Sequence, residues 1–320
     1  MPVYLSSFTL PVDKEERLIT DRMLYNAGSF RQKNGRFVYE SSDNAKYGYI
    51  DNAYPCGIFG EKGLYEISFG RVTVFYGGNG SGKSTLLNLI AQKLGLKRLA
   101  PYNSGELFDS YVDECRFSMG ADDEGEDFRV PNGSRIITSD DVFDYMLAAR
   151  ANNSEIAEGI EEGRREYARL KFGDNVQLNS MEDYEALRLQ VLARSKSVSR
   201  RKFLKREVGS EIELGSNGET ALRYFMLKLG SDTLYCLDEP ENSMSPKMQL
   251  ELKALLEELV RYCGCQLIIA THSPFLLALE GARIYDLDSR PAAVRNWWEL
   301  ENARVYFDFF NKNRELFESQ

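Results

Sequence analysis

Apolar and polar positions in the last third of the chain alternate between strand-like and helix-like patterns. Apolar runs predict strands at 233–237, 266–270 and 283–287, and a helical pattern lies between the first two at 247–262. Within that helix the apolar residues recur three and four positions apart and form one stripe: Met248, Leu252, Leu255, Leu256, Leu259 and Val260. Strands that alternate with helices predict a largely parallel sheet covered by helices, and therefore an α/β fold.

The first two thirds of the chain are less regular. A buried strand is predicted at Val72–Tyr76, directly before a double glycine, and a helix is predicted at 85–94. Turn residues occur throughout 100–135, which predicts irregular structure there. Two further helices are predicted at 154–170 and 181–194.

One domain in three portions is the predicted organisation of residues 1–320. Short aromatic runs separated by Gly and Asn turns predict a β-rich N-terminal portion over 1–99. Because residues 100–213 contribute few strand patterns, they are predicted to form a mostly helical insertion, and 214–320 completes the sheet. The chain is 43% hydrophobic and 28% charged, a balance that excludes a disordered protein.

The strongest chemical signal follows the strand at Val72–Tyr76. The pattern G-x-x-x-x-G-K-[ST] is matched within nine consecutive residues: Gly77, Gly78, Asn79, Gly80, Ser81, Gly82, Lys83, Ser84 and Thr85. Glycines let backbone N–H groups point at phosphates, and the following helix adds its partial positive charge. We expect Lys83 to reach the β- and γ-phosphates and Ser84 to ligate Mg²⁺. A glycine-rich turn with an incidental lysine is the alternative, but the strand–loop–helix order favours a site for a nucleoside triphosphate and Mg²⁺.

Adjacent carboxylates end the strand predicted at 233–237. Asp238 is expected to hold Mg²⁺, largely through water, and Glu239 to polarise the attacking water as a general base. Two acids at the end of an apolar strand would be costly without a cation. An exposed Asp-Glu-Pro turn is the alternative, and the phosphate loop upstream argues against it.

A weaker signal precedes the helical pattern that leads to Asp238. It consists of Ser216, Asn217, Gly218 and Glu219. The Ser-x-x-Glu spacing is that of an ordinary capping box. The same residues suit a second anion site, with the Ser216 hydroxyl and the Gly218 amide at a helix N-terminus facing a γ-phosphate.

His272 is the only histidine in the chain and follows the strand predicted at 266–270. An isolated histidine is more often structural than catalytic. At the end of a strand neighbouring Glu239, however, a neutral imidazole would contact the γ-phosphate and the attacking water, so we include His272 with Lys83 and Glu239 as a candidate catalytic residue.

These four motifs, in this order, resemble the ABC-type ATPase family. The resemblance covers residues 77–99 and 214–287. It implies that two subunits sandwich two nucleotides, that the signature at 216–219 of one subunit completes the site of the other, and that 242–246 forms the D-loop at that interface. A homodimer closed around ATP is therefore expected.

The residues around the motifs resemble the soluble branch of that family around RecF, SMC and OLD-type ATPases. They are Asp-Glu-Pro-Glu-Asn-Ser-Met-Ser-Pro at 238–246 and Thr-His-Ser-Pro-Phe-Leu-Leu at 271–277. The resemblance implies a switch acting on a partner effector protein or nucleic acid, in DNA maintenance or anti-phage defence. The alternative is the nucleotide-binding subunit of a transporter, which needs a Q-loop glutamine that 139–141 does not offer. A binding module without hydrolysis is disfavoured by the intact Glu239.

The charge of the chain is unevenly spread. A net charge of −9 argues against general coating of nucleic acid, which depends on Lys and Arg. Seven basic residues nevertheless lie within the thirteen residues from Arg194 to Arg206. This segment is either a solvated stretch that balances an acidic protein or a contact for a phosphate backbone or an acidic partner, and both interpretations stay open.

Three further patterns bear on location and ligands. No run reaches the about 18 apolar residues of a membrane span, and no secretory signal pattern begins the chain. The five cysteines form no CxxC pair, so we expect reduced thiols in the cytoplasm. Tyr54, Phe59 and Tyr65 lie where an aromatic side chain stacks on adenine in the resembled family, although each of them also suits a core position.

Overall fold

The computed structural model describes residues 2–26, 28–33, 36–41, 54–102, 104–172, 190–191, 194 and 216–318. The chain divides into two compact units, one formed by Met1–Val142 and Leu222–Gln320 and the other by Phe143–Ala221. The predicted organisation in three portions stays a prediction.

The strands and helices are numbered in chain order. The strands are β1 (Leu5–Thr9), β2 (Gly28–Lys33), β3 (Arg36–Ser41), β4 (Glu66–Ser68), β5 (Val72–Tyr76), β6 (Arg116–Met119), β7 (Arg135–Thr138), β8 (Leu234–Asp238), β9 (Gln266–Ala270), β10 (Arg283–Asp286) and β11 (Ala293–Arg295). The helices are α1 (Asp13–Asn26), α2 (Lys83–Lys93), α3 (Glu106–Glu114), α4 (Ser139–Phe172), α5 (Asn217–Lys228), α6 (Pro246–Tyr262), α7 (Pro274–Leu277), α8 (Glu301–Lys312) and α9 (Arg314–Glu318). Among the described helices, none combines the length and the apolar character that crossing a membrane requires.

The largest sheet within the described residues has the order β11-β10-β5-β9-β8-β7. The pairs β10–β5, β5–β9, β9–β8 and β8–β7 are parallel, and β10–β11 is antiparallel. This largely parallel sheet confirms the predicted α/β fold. Smaller antiparallel sheets, β4-β1-β6 and β2-β3, lie mostly in the N-terminal portion that was predicted to be rich in strands.

The core surrounds the middle strands of this sheet. Every residue of β5 and β9 is buried, as expected for parallel strands covered on both faces. Helix α2 buries Leu86, Leu87, Leu89 and Ile90, and α6 buries Leu252, Leu256 and Leu259. At the start of α6, the Ser245 hydroxyl accepts a hydrogen bond from the Met248 N–H and so caps the helix.

The sequence-based expectation was wrong for part of 100–135. Helix α3 lies there and buries Phe108, Tyr111 and Val112, and β6 follows it and pairs with β1. This nine-residue helix has only three buried side chains, and turn residues flank it on both sides, so its apolar pattern is too short to predict a helix. Helix α1 was not predicted either. Helix α4 begins fifteen residues before the predicted start at 154. Of the helix predicted at 181–194, only 190, 191 and 194 are described, and they are helical.

Two leucines on α6 test the assignment of the buried face. Leu256 is fully buried and Leu250 is half exposed. We expect Leu256→Ala to lower the free energy of unfolding by about 2–5 kcal/mol, because it removes buried methyl groups and leaves a cavity. The matched Leu250→Ala variant should change it by less than about 0.5 kcal/mol. Denaturant unfolding of both variants measures the difference, and equal losses would contradict the buried stripe.

Candidate functional site

The candidate site lies where three neighbouring parallel strands end. Phe75 of β5 and Asp238 of β8 both pair in register with Ala270 of β9. The carboxyl ends of parallel strands meet at one edge of a sheet, which is where open α/β sheets bind ligands. The structure therefore brings together the phosphate loop, the paired carboxylates and His272, all of which belong to the first unit.

The phosphate loop turns from β5 into α2, which begins at Lys83. The Lys83 ammonium is buried, and it donates hydrogen bonds to the carbonyl oxygens of Gly77 at 2.8 Å and Gly78 at 3.0 Å. It also lies 3.7 Å from Oε1 of Glu239. A buried ammonium needs such partners, since burial of an unpaired charge is costly. These contacts hold the Lys83 ammonium in place beside the phosphate loop.

Two glycines of the loop leave no room for a side chain. At Gly82, where φ is +96°, a Cβ would lie 3.0 Å from Cγ2 of Ile58 and 3.3 Å from a ring carbon of Phe59. At Gly77 a Cβ would lie 2.5 Å from the Ser81 hydroxyl oxygen. That hydroxyl is buried and has no hydrogen-bond partner among the described residues. A tight backbone cradle with an unsatisfied hydroxyl fits a phosphate-bearing ligand.

Ser84 and Asp238 form an oxygen pair beside the loop. The Ser84 hydroxyl donates a hydrogen bond of 3.0 Å to the Asp238 carboxylate. Burial raises the pKa of Asp238 to about 6; the hydrogen bond from Ser84 opposes this rise and the nearby charge of Glu239 adds to it. A hydroxyl and a carboxylate are ligands that Mg²⁺ accepts, so this pair fits the predicted metal.

Glu239 adopts a backbone conformation that is unusual for its residue type. Its φ is +46°, in the left-handed region that costs a residue with a side chain about 1–2 kcal/mol. Its N–H donates to the Ala270 carbonyl at 2.9 Å, and the Asn242 amide donates to its Oε2 at 3.2 Å. Oε1 lies 3.7 Å both from the Lys83 ammonium and from Nδ1 of His272. Strain of this kind persists at functional sites, where it fixes a side chain in place.

Two residues that the sequence interpretation missed surround His272. Glu241 is buried, and its Oε1 accepts hydrogen bonds from the Thr271 hydroxyl and from the N–H groups of His272 and Ser273. Burial raises the pKa of the Glu241 carboxyl. On the other side, the side-chain amide of Asn302 in α8 donates to the His272 carbonyl at 3.1 Å. Glu241 could have been identified from the sequence, because it is an acid two positions after Glu239. No sequence pattern points to Asn302.

The weaker signal, Ser216 to Glu219, lies in the second unit at the start of α5. The Ser216 N–H donates to the Glu219 carboxylate at 2.6 Å, and the Glu219 N–H donates to the Ser216 hydroxyl at 3.4 Å. These reciprocal bonds form the capping box. Asn217 accepts a hydrogen bond from the Arg150 guanidinium, and Gly218 is buried. The use of these residues as an ATP signature stays a prediction.

The aromatic candidates differ in their surroundings. Phe59 is buried in the core, and the Tyr65 hydroxyl donates to Asp13 at 3.1 Å. The Tyr54 hydroxyl donates to the Thr85 hydroxyl of the phosphate loop at 3.2 Å, and its ring stacks on Phe108. Of the three, Tyr54 forms a hydrogen bond with the loop, whereas Phe59 lies beside Gly82 of the loop. In the basic segment only Arg194 is described, and 195–206 lies outside the described residues.

Comparisons with known proteins agree with the chemistry of this site. A family model described as "AAA domain, putative AbiEii toxin, Type IV TA system" matches residues 194–278. The chain is 28% identical over 246 residues to the petrobactin import ATP-binding protein YclP of Bacillus subtilis (strain 168). The matched region covers 73% of this chain and 82% of that protein. Together with the phosphate loop, these matches support an ABC-type ATP-binding domain.

Solved structures with some similarity include the SMC head domain from Thermotoga maritima, at 16% identity over 72% of this chain and 92% of that chain, with a TM-score of 0.31. Another is the ATP-binding cassette MJ0796 in a dimeric post-hydrolysis state with ADP and Pi, at 12% identity over 85% and 97%, with a TM-score of 0.33. TM-scores of this size carry no argument about function or assembly.

Gly82 offers a test of the cradle. We expect Gly82→Ala to weaken ATP binding by at least about tenfold, because the added Cβ crowds Ile58 and Phe59 and strains the backbone by about 1–3 kcal/mol. Gly95 provides the control: its φ is also positive, at +63°, but a Cβ there would meet nothing within 4 Å. Gly95→Ala should keep the affinity within about twofold while paying a similar backbone cost. Calorimetric titration with ATP compares them, and equal affinities in both variants would count against the cradle.

Proposed function

We propose that this ABC-type P-loop ATPase domain hydrolyses ATP with Mg²⁺ and that closure of an ATP-bound homodimer acts as a switch on a partner. The observation that carries the proposal is the position of Glu239. Its strained backbone sets one carboxylate oxygen 3.7 Å from both the Lys83 ammonium and the His272 ring. Such a cluster at the end of a phosphate loop supports hydrolysis rather than binding alone.

Each residue of the cluster has a chemical task in this proposal. The backbone N–H groups of 77–85 and the Lys83 ammonium bind the β- and γ-phosphates. The Glu239 carboxylate accepts a hydrogen bond from the attacking water and so increases its nucleophilicity. His272 orients that water and the γ-phosphate through its imidazole. Ser84 and Asp238 would hold Mg²⁺, which would neutralise negative charge on the phosphates.

The homodimer belongs to the proposal because, in the family that the motifs resemble, the signature of one subunit completes the nucleotide site of the other. Residues 216–219 of one copy would close over the nucleotide of the other. Ser216 is exposed, and α5 directs its partial positive N-terminal end toward this residue, which suits an anion. The partner that the dimer acts on would be an effector protein or, through 194–206, nucleic acid, in DNA maintenance or anti-phage defence.

A transporter subunit is the second candidate function, and the similarity to YclP favours it. One feature of the site supports the first candidate instead. After β7 the chain offers no Q-loop glutamine but a buried Asp141, whose carboxylate accepts hydrogen bonds from the N–H groups of Ala100 and Thr138 at 2.8 Å each. Purification of the native protein distinguishes the two, because a transporter subunit should copurify with an integral membrane protein that stimulates its ATPase activity.

Binding of ATP should depend on Lys83. We expect Lys83→Ala to abolish measurable ATP binding, because each charge-assisted hydrogen bond that the ammonium would make to phosphate is worth about 1.5–3 kcal/mol. Lys97→Ala removes the same charge from an exposed position beyond α2 and should bind normally. Titration calorimetry measures both affinities, and circular dichroism verifies folding. Unchanged affinity in a folded Lys83→Ala protein would refute the assignment of the phosphate loop.

A substitution at Glu239 should block hydrolysis and still allow the dimer to close around ATP. We expect Glu239→Gln to keep ATP binding but to lower kcat by about 10²–10⁴-fold, since it removes the general base. A dimer loaded with ATP should then accumulate, and light scattering would detect it. Adding Ser216→Arg should return the protein to a monomer that still binds ATP. A strictly monomeric Glu239→Gln protein at saturating ATP contradicts the homodimer, and an unchanged kcat contradicts the role of Glu239.

A further inference from the structure

Glu241 connects the two loops that carry Glu239 and His272. Its Oε1 accepts three hydrogen bonds from three consecutive residues: one from the Thr271 hydroxyl and one each, at 3.2 Å, from the N–H groups of His272 and Ser273. The same oxygen lies 3.8 Å from Nδ1 of His272. Because Glu241 follows Glu239 by two residues, one carboxylate fixes the distance between the two loops.

The other carboxylate oxygen of Glu241 shows that stability alone does not account for this residue. Oε2 is buried and has no hydrogen-bond partner among the described residues. Burial of an unsatisfied polar atom costs about 1–3 kcal/mol, and the cost is larger for a charged group. A buried acid with one oxygen that has no partner calls for an explanation beyond packing, and a functional role supplies one.

The His272 peptide is held on its opposite side as well. The Asn302 amide donates to the His272 carbonyl at 3.1 Å, and the Asn302 N–H donates to the Tyr76 hydroxyl at 3.2 Å. The peptide N–H of His272 is thus fixed by Glu241 and its carbonyl by α8. With the backbone held at both ends, the imidazole has only its own side-chain rotations left.

We propose that Glu241 is a positioning residue that holds His272 at its working distance from Glu239. The proposal rests on the ATP hydrolysis proposed above. Glu241 acts through its hydrogen bonds to 271–273 and through its closeness to the His272 ring. A carboxylate suits this task better than an amide, since a charged oxygen accepts the three hydrogen bonds more strongly than a neutral amide oxygen would. Gln would also put an NH₂ group at the buried oxygen position that has no partner.

The test compares Glu241→Gln with Glu258→Gln, which removes the same charge from an exposed position on α6. Glu241→Gln should lower kcat by at least about tenfold, the equivalent of one weakened hydrogen bond to a charged group, with KM for ATP within about twofold of wild type. In the His272→Ala background the same substitution should lower kcat by less than about twofold, because its effect passes through His272. Glu258→Gln should leave both constants unchanged.

A second measurement is independent of activity. His272 is the only histidine, so the protein has a single imidazole Cε1–H signal in a carbon–proton NMR spectrum. Glu241→Gln should shift that signal, and Glu258→Gln should not. If Glu241→Gln does not fold, Thr271→Val serves instead, because it removes one hydrogen bond to the carboxylate and leaves the acid in place.

The outcomes separate this proposal from the proposed function. A wild-type protein without ATPase activity refutes the proposed function, while the NMR comparison still tests the position of His272. An active wild type with an unshifted imidazole signal in Glu241→Gln overturns the role of Glu241. Equal losses of kcat with and without His272 also overturn it, since Glu241 would then act on something other than the histidine.

Discussion

The parallel register of β5, β9 and β8 is the constraint on which the candidate site depends. Ala270 pairs with Phe75 on one side and with Asp238 on the other, so all three strands end at one level. A slip by one residue in any pair would turn alternate side chains to the other face of the sheet. The apolar, fully buried strands prevent such a slip, because it would disrupt packing on both faces.

Among the site residues at that edge of the sheet, negatively charged side chains outnumber positively charged ones. Asp238, Glu239 and Glu241 lie within four residues, while the Lys83 ammonium and the His272 imidazole lie within ion-pair distance of Glu239. Burial raises the pKa of Asp238, and the nearby charge of Glu239 adds to this rise, while Ser84 and Lys83 oppose it. A divalent metal would relieve this imbalance, and a triphosphate would then engage the loop and the lysine. The carboxylates and the phosphate loop lie together at this edge of the sheet.

The elements that the sequence predicted best are those with a strong local signal. β5 and β9 have the predicted bounds, because short, mostly apolar runs that end at a glycine or a polar residue leave little choice. The nine-residue loop and the Asp238-Glu239 pair could likewise be recognised, since their chemistry lies in consecutive residues. Helix α3 could not, because its buried face has three residues between turn-forming segments. Asn302 could not either, because its contact with His272 joins residues that are far apart in the chain and depends on tertiary packing.

The hydrogen bond from Asn302 has a practical consequence for anyone who produces this protein. Helix α8 carries exposed apolar side chains, among them Val305, Tyr306, Phe307, Phe309 and Phe310, and invites truncation to improve solubility. Deletion from residue 300 onward would remove these exposed apolar side chains, but it would also remove the hydrogen bond to the His272 carbonyl. The deletion would also remove the buried Leu300 and Ala303. Replacing the exposed apolar residues individually is therefore the better route to a well-behaved sample.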